Sequence, residues 1–124
     1  MPNSYQQKGT WAEVLAQNYL SLKGYTIVSK NCRSRLGEID IIAKDNGTIV
    51  FVEVKAKAST RFGNPKWAVT HQKQKKLSVL ALEYLKNTGQ SHAKARFDVV
   101  AIVYLKNSAP QIELIKNAFE LAYR

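Results

Sequence analysis

Residues 37–55 read GEIDIIAKDNGTIVFVEVK, with two strand-like runs, Glu38–Ala43 and Ile49–Lys55, joined through Asp45-Asn46-Gly47-Thr48. A two-residue type I′ turn needs positive φ at both central positions, and Asn-Gly supplies it, so the runs form an antiparallel hairpin. With Asn46 and Gly47 as the loop, Asp45 faces Thr48, Asp40 faces Glu53 and Glu38 faces Lys55. Side chains alternate along a strand, so Glu38, Asp40, Glu53 and Lys55 leave one face while Ile39, Ile41, Val52 and Val54 leave the other and form core. A β-bulge would shift this pairing by one residue.

Upstream, Thr10-Trp11-Ala12-Glu13 has the pattern of a capping box, and Trp11, Leu15, Tyr19 and Leu22 recur at helical spacing, with Ala12, Ala16 and Leu20 widening the stripe. Gly24 ends this helix, which is expected over residues 10–23, with 1–8 flexible. Tyr25–Asn31 is β-branched and aromatic enough for a strand. Downstream, Arg61–Lys66 contains Gly63, Asn64 and Pro65 and reads as a loop. A second helix is expected over 70–88, with Leu77, Leu80, Ala81, Tyr84 and Leu85 as its apolar stripe and Gly89 closing it. Phe97–Leu105 is too continuously apolar for a half-exposed strand and reads as a sheet centre. Gln111–Ile115 follows Pro110 as a short edge strand, and Ala118–Tyr123 is expected to add a helical turn. The order αβββαβ(β) defines an α/β (α+β) domain, a mixed sheet flanked by helices, spanning 1–124.

A chain of 124 residues, 45% of them apolar, supports one core. Nineteen Lys and Arg against nine Asp and Glu give a formal charge of +10, which points to a polyanionic partner. The longest apolar run, Val99–Leu105, is far short of the roughly 20 residues that span a bilayer, and Met1–Lys8 is polar, so no membrane partner and a cytoplasmic location are expected. Cys32 stands alone, and with only His71 and His92 beside it there is no His/Cys zinc set, so a metal here would need oxygen ligands.

The hairpin supplies such oxygens. Directly opposed carboxylates repel, with Cβ atoms about 4.5–5.5 Å apart. A divalent cation resolves the conflict: Mg²⁺ takes oxygen ligands at about 2.0–2.1 Å, often one or two carboxylates completed by water and phosphate. Asp40 and Glu53 would be those ligands, with Mn²⁺ as a substitute. Lys55, on the same side as Glu53, suits orienting water, assisting its deprotonation or neutralising a phosphorane-like transition state. Spacing alone leaves a second reading, in which Asp40 and Glu53 face solvent and Glu38 pairs with Lys55 across the strands at little energetic gain.

Gly37-Glu38-Ile39-Asp40 followed by Phe51-Val52-Glu53-Val54-Lys55 resembles the D…ExK core of restriction-endonuclease-like nucleases. With Val69-Thr70, Lys73 and Arg96-Phe97-Asp98-Val99-Val100, the ordered set over Gly9–Ile102 resembles the small UPF0102 (YraN-like) family, which is similar to archaeal Holliday junction resolvases. The resemblance implies a restriction-endonuclease-like fold, Asp40 and Glu53 as metal ligands, Lys55 as the catalytic lysine, and Glu13 as an outer metal or water ligand. Glu13 thus carries two readings, capping and metal chemistry. The sequence departs from many members of the wider superfamily in having Ile39 rather than Pro before Asp40. Glu38 reads as a partner of Lys55 or a surface acid, and Asp98, beside Arg96, as a satisfied structural carboxylate.

No acid occurs between Val54 and Leu82, a segment that holds Lys55, Lys57, Arg61, Lys66, Lys73, Lys75 and Lys76. Placed beside the acidic hairpin, and extended by Arg33 and Arg35, these residues would hold phosphates, setting affinity rather than sequence preference. Phe62 and Trp67 would either anchor the loop or stack on unpaired bases. The expected activity is Mg²⁺-dependent hydrolysis of phosphodiester bonds in nucleic acid, DNA above all, and structured or branched DNA in particular. The competing reading is a noncatalytic nucleic-acid-binding module. A homodimer would suit a junction cutter, which makes two symmetric incisions.

Overall fold

The computed structural model describes residues 5–58, 69–104 and 107–120, with side chains from Thr10 onward. Helix α1 (Tyr5–Leu22) leads into strands β1 (Thr26–Ser34), β2 (Gly37–Asp45) and β3 (Thr48–Lys57); helix α2 (His71–Asn87) precedes β4 (Ala95–Val103) and β5 (Gln111–Phe119). The strands form one sheet in the order β1-β2-β3-β4-β5. Only β3 and β4 pair in parallel. Parallel neighbours need a crossover connection, and α2 lies within it. The architecture is therefore α/β with a mixed sheet, in the expected element order.

The hairpin closes as its turn chemistry requires. Asn46 and Gly47 take φ of 51° and 84°, and pairing runs from Asp45↔Thr48 to Ile41↔Val52. Both faces of the sheet are covered. On one face, Ala12, Ala16 and Leu20 of α1 pack with Ile41, Ala43, Val50, Val52, Val100 and Ile102. On the other, Leu77, Leu80, Ala81 and Leu85 of α2 pack with Ile39, Ile42, Phe51, Phe97 and Val99. The central strands β3 and β4 are buried on both sides, which explains their nearly unbroken apolar runs.

Asp98, with no exposed surface, anchors the middle of the sheet. It accepts hydrogen bonds from the Tyr25 hydroxyl (2.7 Å), Arg96 Nε (2.9 Å) and the Asn117 amide (2.9 Å). Arg96 also reaches Asp45 at 2.7 Å. A buried carboxylate with this many donors is structural, as expected. Burial and the hydrogen bond to Asp98 push the Tyr25 hydroxyl well above the usual tyrosine range.

Several local expectations are corrected. Helix α1 begins at Tyr5, so Thr10 lies within it and the Thr10/Glu13 capping box does not form at a helix start. The buried stripe is Ala12, Ala16 and Leu20, while Leu22 is 86% exposed: the small alanines, rather than the larger residues, let α1 approach the sheet. Ala118 and Phe119 belong to β5 rather than a helical turn, and Phe119 stacks on Phe97 with ring centroids 4.4 Å apart. Ile39 and Ile41 do not share a face: Ile39 joins the α2 side and Ile41 the α1 side. The alternation of β2 breaks at Asp40, between them. Among the described residues, no helix is long and apolar enough to cross a membrane.

Candidate functional site

That break in β2 builds the site. Beyond Ile41↔Val52, the Asp40 side chain takes over a role of the backbone, its Oδ2 accepting the Val54 amide at 2.8 Å. The carboxylate is thereby fixed where β2 and β3 part. Glu38 lies two residues earlier, and half-buried Glu13 comes from the margin of the α1 stripe, one residue past buried Ala12. Carboxylate oxygens of Glu13, Glu38 and Asp40 all lie within 4.8 Å of one another.

Two neighbours hold this group of acids. Arg33, the β1 pairing partner of Glu38, places its Nε 3.3 Å from Glu38 Oε2; Glu38 therefore pairs with Arg33 rather than with Lys55. Asn31 interrupts β1 with a left-handed backbone, φ 53°. With its amide nitrogen turned toward the acids, it donates to Glu38 Oε1 at 2.6 Å and Glu13 Oε1 at 3.2 Å. Asn tolerates this conformation better than most residues do.

Glu53 stands on β3, two residues after Phe51, and is 8% exposed. A carboxylate so buried needs a partner, and Lys73 in the first turn of α2 supplies it, Nζ to Oε1 at 3.0 Å. Thr70 caps that helix by accepting the Lys73 backbone amide at 3.2 Å. Lys55, half-buried, is two residues past Glu53 in a regular ladder with β4, so the two share a side.

The electrostatics show negative charge in excess of its compensation. Burial, then the charge of Glu53, push the Asp40 carboxyl up to about 7, although the Val54 amide opposes the shift. Burial and Glu38 likewise raise Glu13, against Asn31, Arg33 and Lys30. Burial lowers the pKa of Lys73, but its hydrogen bond to Glu53 and the surrounding carboxylates outweigh that and leave the ammonium more basic than usual. An Mg²⁺ ion with ligands at about 2.1 Å spans about 4.2 Å between opposite oxygens. Three carboxylates within 4.8 Å fit that span after a small closure, and a cation would relieve the repulsion that raises Glu13 and Asp40.

The expected site residues thus divide. Asp40, Glu53 and Glu13 gather electrostatically, Asp40 being raised by both glutamates, whereas Lys55 shares only a side of β3 with Glu53. Glu38, Asn31 and the pairing of Lys73 with Glu53 were not foreseen as parts of the site. Asn31 ended the strand-like run read from the sequence, whereas β1 continues through it to Ser34, so the sequence carried no clear signal for its role. Lys57, Lys75 and Lys76 are exposed, as are Arg33 and Arg35. Arg61 and Lys66, with Phe62 and Trp67, lie outside the described residues. A groove of about 480 Å³ opens beside the acids, lined by Leu36, Glu38, Gln72, Lys73, Lys76 and Leu77 among others; Lys75 does not line it.

The pattern that defines the Uncharacterised protein family UPF0102 matches residues 12–102. A UPF0102 protein of Desulfosudis oleivorans is 50% identical over 120 residues, covering 97% of this chain and 95% of the relative. UPF0102 proteins of Geobacter sulfurreducens (49%) and Syntrophus aciditrophicus (51%) each align over 115 residues, covering 93% of this chain and 90% of the relative. This α/β protein with an acidic cluster at a strand break belongs to the UPF0102 family.

Proposed function

We propose that this protein is a divalent-cation-dependent nuclease that hydrolyses phosphodiester bonds in nucleic acid, with structured or branched DNA as the substrate class. The observation that carries the reading is the convergence of Glu13, Glu38 and Asp40 within 4.8 Å, with Glu53 close enough to raise the Asp40 carboxyl. Asp40 and Glu53 would hold Mg²⁺ or Mn²⁺, with Glu13 and Glu38 as further oxygen donors. When bound, such a cation supplies positive charge to a phosphoryl oxygen and lowers the pKa of water.

The remaining work falls to the chain. The Val54 amide holds Asp40 Oδ2 at one angle, so the carboxylate need not be ordered when substrate arrives. Lys55, two residues past Glu53 on the same side of β3, would bring an ammonium that orients a water or offsets charge that develops on phosphorus-bound oxygens. Lys76, which lines the groove, and exposed Arg35, next in sequence to the lining residue Leu36, would attract the phosphate backbone without reading bases.

Cleavage of a labelled panel of junction, flap, single-stranded and duplex DNA and of RNA, with Mg²⁺ or Mn²⁺, tests the reading. Wild type should cut at least one branched DNA, while Asp40→Asn, Glu53→Gln and Lys55→Ala should each lose at least about a hundredfold in rate and retain nucleic-acid binding. Mn²⁺ should raise the melting temperature of wild type but not of the Asp40→Asn/Glu53→Gln double variant. Nucleic-acid binding with neither cleavage nor a Mn²⁺ effect would establish the noncatalytic binding module instead.

A further inference from the structure

We infer that Lys73 is the resident counter-ion of Glu53, and that a divalent cation and a nucleic-acid phosphate bind cooperatively because the cation releases this lysine to the phosphate. The inference rests on the cation-dependent reading above and concerns how that site is regulated. Glu53 is buried, and Lys73 Nζ sits 3.0 Å from its Oε1. The backbone of the lysine is held separately, its amide donating to the Thr70 cap. Its side chain is 49% exposed and sits on a long flexible stem, so it can leave Glu53 without disturbing α2.

The same side chain has a second place to go. It lines the groove beside the acids together with Lys76, Gln72 and Thr70. Lys73 and Lys76 are neighbours on the helix surface, three residues apart. A cation held by Asp40 and Glu53 and an ammonium on Glu53 are like charges competing for one carboxylate. Entry of the cation therefore displaces Lys73 into the groove, where with Lys76 it presents two ammonium groups to one phosphate. Linkage makes the effect reciprocal: phosphate that holds Lys73 in the groove leaves Glu53 open to the cation.

Calorimetric titration of Mn²⁺ into the full chain, with and without a cleavage-resistant phosphorothioate oligonucleotide, tests this on wild type, Lys73→Gln and Lys73→Arg. Wild type should bind Mn²⁺ roughly fivefold or more tightly when the oligonucleotide is present. Lys73→Gln should bind Mn²⁺ more tightly than wild type in the absence of oligonucleotide, bind oligonucleotide more weakly in the presence of Mn²⁺, and lose most of the coupling; Lys73→Arg should restore it. Coupling in Lys73→Gln equal to that of wild type, or Mn²⁺ affinity no higher than that of wild type, would overturn the role of Lys73 and leave the cation site standing. Absence of Mn²⁺ uptake by wild type would overturn the cation reading itself, and this inference with it.

Discussion

Asp40 does two jobs that conflict. Its Oδ2 accepts the Val54 amide where β2 and β3 separate, and its charge lies beside Glu53 and Glu13, so burial and repulsion hold its proton up to about pH 7. An unfolded chain releases that proton near the ordinary value of 3.8. Between these values the folded state binds more protons than the unfolded one, so stability should fall as pH rises through that window. Thermal melts should show wild type losing midpoint from about pH 4.5 to pH 8 in the absence of metal. Asp40→Asn keeps an acceptor for Val54 and removes the charge, so its curve should be flatter and its midpoint at pH 8 higher. The proposed cation would bind the deprotonated form, so stabilisation of wild type by Mn²⁺ should grow with pH over the same range. A wild-type profile parallel to that of Asp40→Asn would refute this account.

At the scale of elements, the β2–β3 hairpin was legible because turn chemistry is local: Asn46 and Gly47 take the positive φ that their residue types favour. What failed was the assumption that alternation continues past the end of the pairing. Ile39 and Ile41 diverge because β2 leaves its partner at Asp40, a tertiary event that no period-2 pattern contains. The start of α1 was misread for the converse reason, since Thr10-Trp11-Ala12-Glu13 looks like a cap wherever it occurs, and here a helical turn already precedes it. Freed from capping, Glu13 is available to the acidic group. Gly37, the residue that starts β2, has φ 142°, a conformation that side chains resist. Gly37→Ala should cost about 1–2 kcal/mol in urea unfolding, and should weaken Mn²⁺ uptake as well because Glu38 follows directly. A loss of stability with unchanged Mn²⁺ affinity would separate the turn from the site.

For the whole molecule, the network around Asp98 ties three distant pieces of chain together: Tyr25 and Asp98 are 73 residues apart in sequence and 2.7 Å apart in space. Arg96→Met removes the cation from a carboxylate that has no exposed surface, and equilibrium unfolding should register a loss of about 3 kcal/mol or more. The sequence identified Asp98 as structural from its apolar neighbours and adjacent arginine, but Tyr25 and Asn117 were beyond reach, because only the closed sheet brings them near. The same limit hid the contact between Lys73 and Glu53: the basic segment was visible as composition, and which lysine turns toward the acids depends on where α2 docks. If nucleic acid is the partner proposed above, the formal charge of +10 should make its affinity fall linearly with salt on logarithmic axes, and a flat response would argue against a phosphate-binding surface. The parallel pairing of β3 with β4 also sets an order of events during synthesis. Glu13, Glu38, Asp40, Glu53, Lys55 and Lys73 all leave the ribosome before Ala95, yet the strand against which β3 must be laid is still being made. A nascent chain would carry every chemical group of the site with no finished scaffold beneath them, so any activity of the site would begin only after translation of β4 and β5.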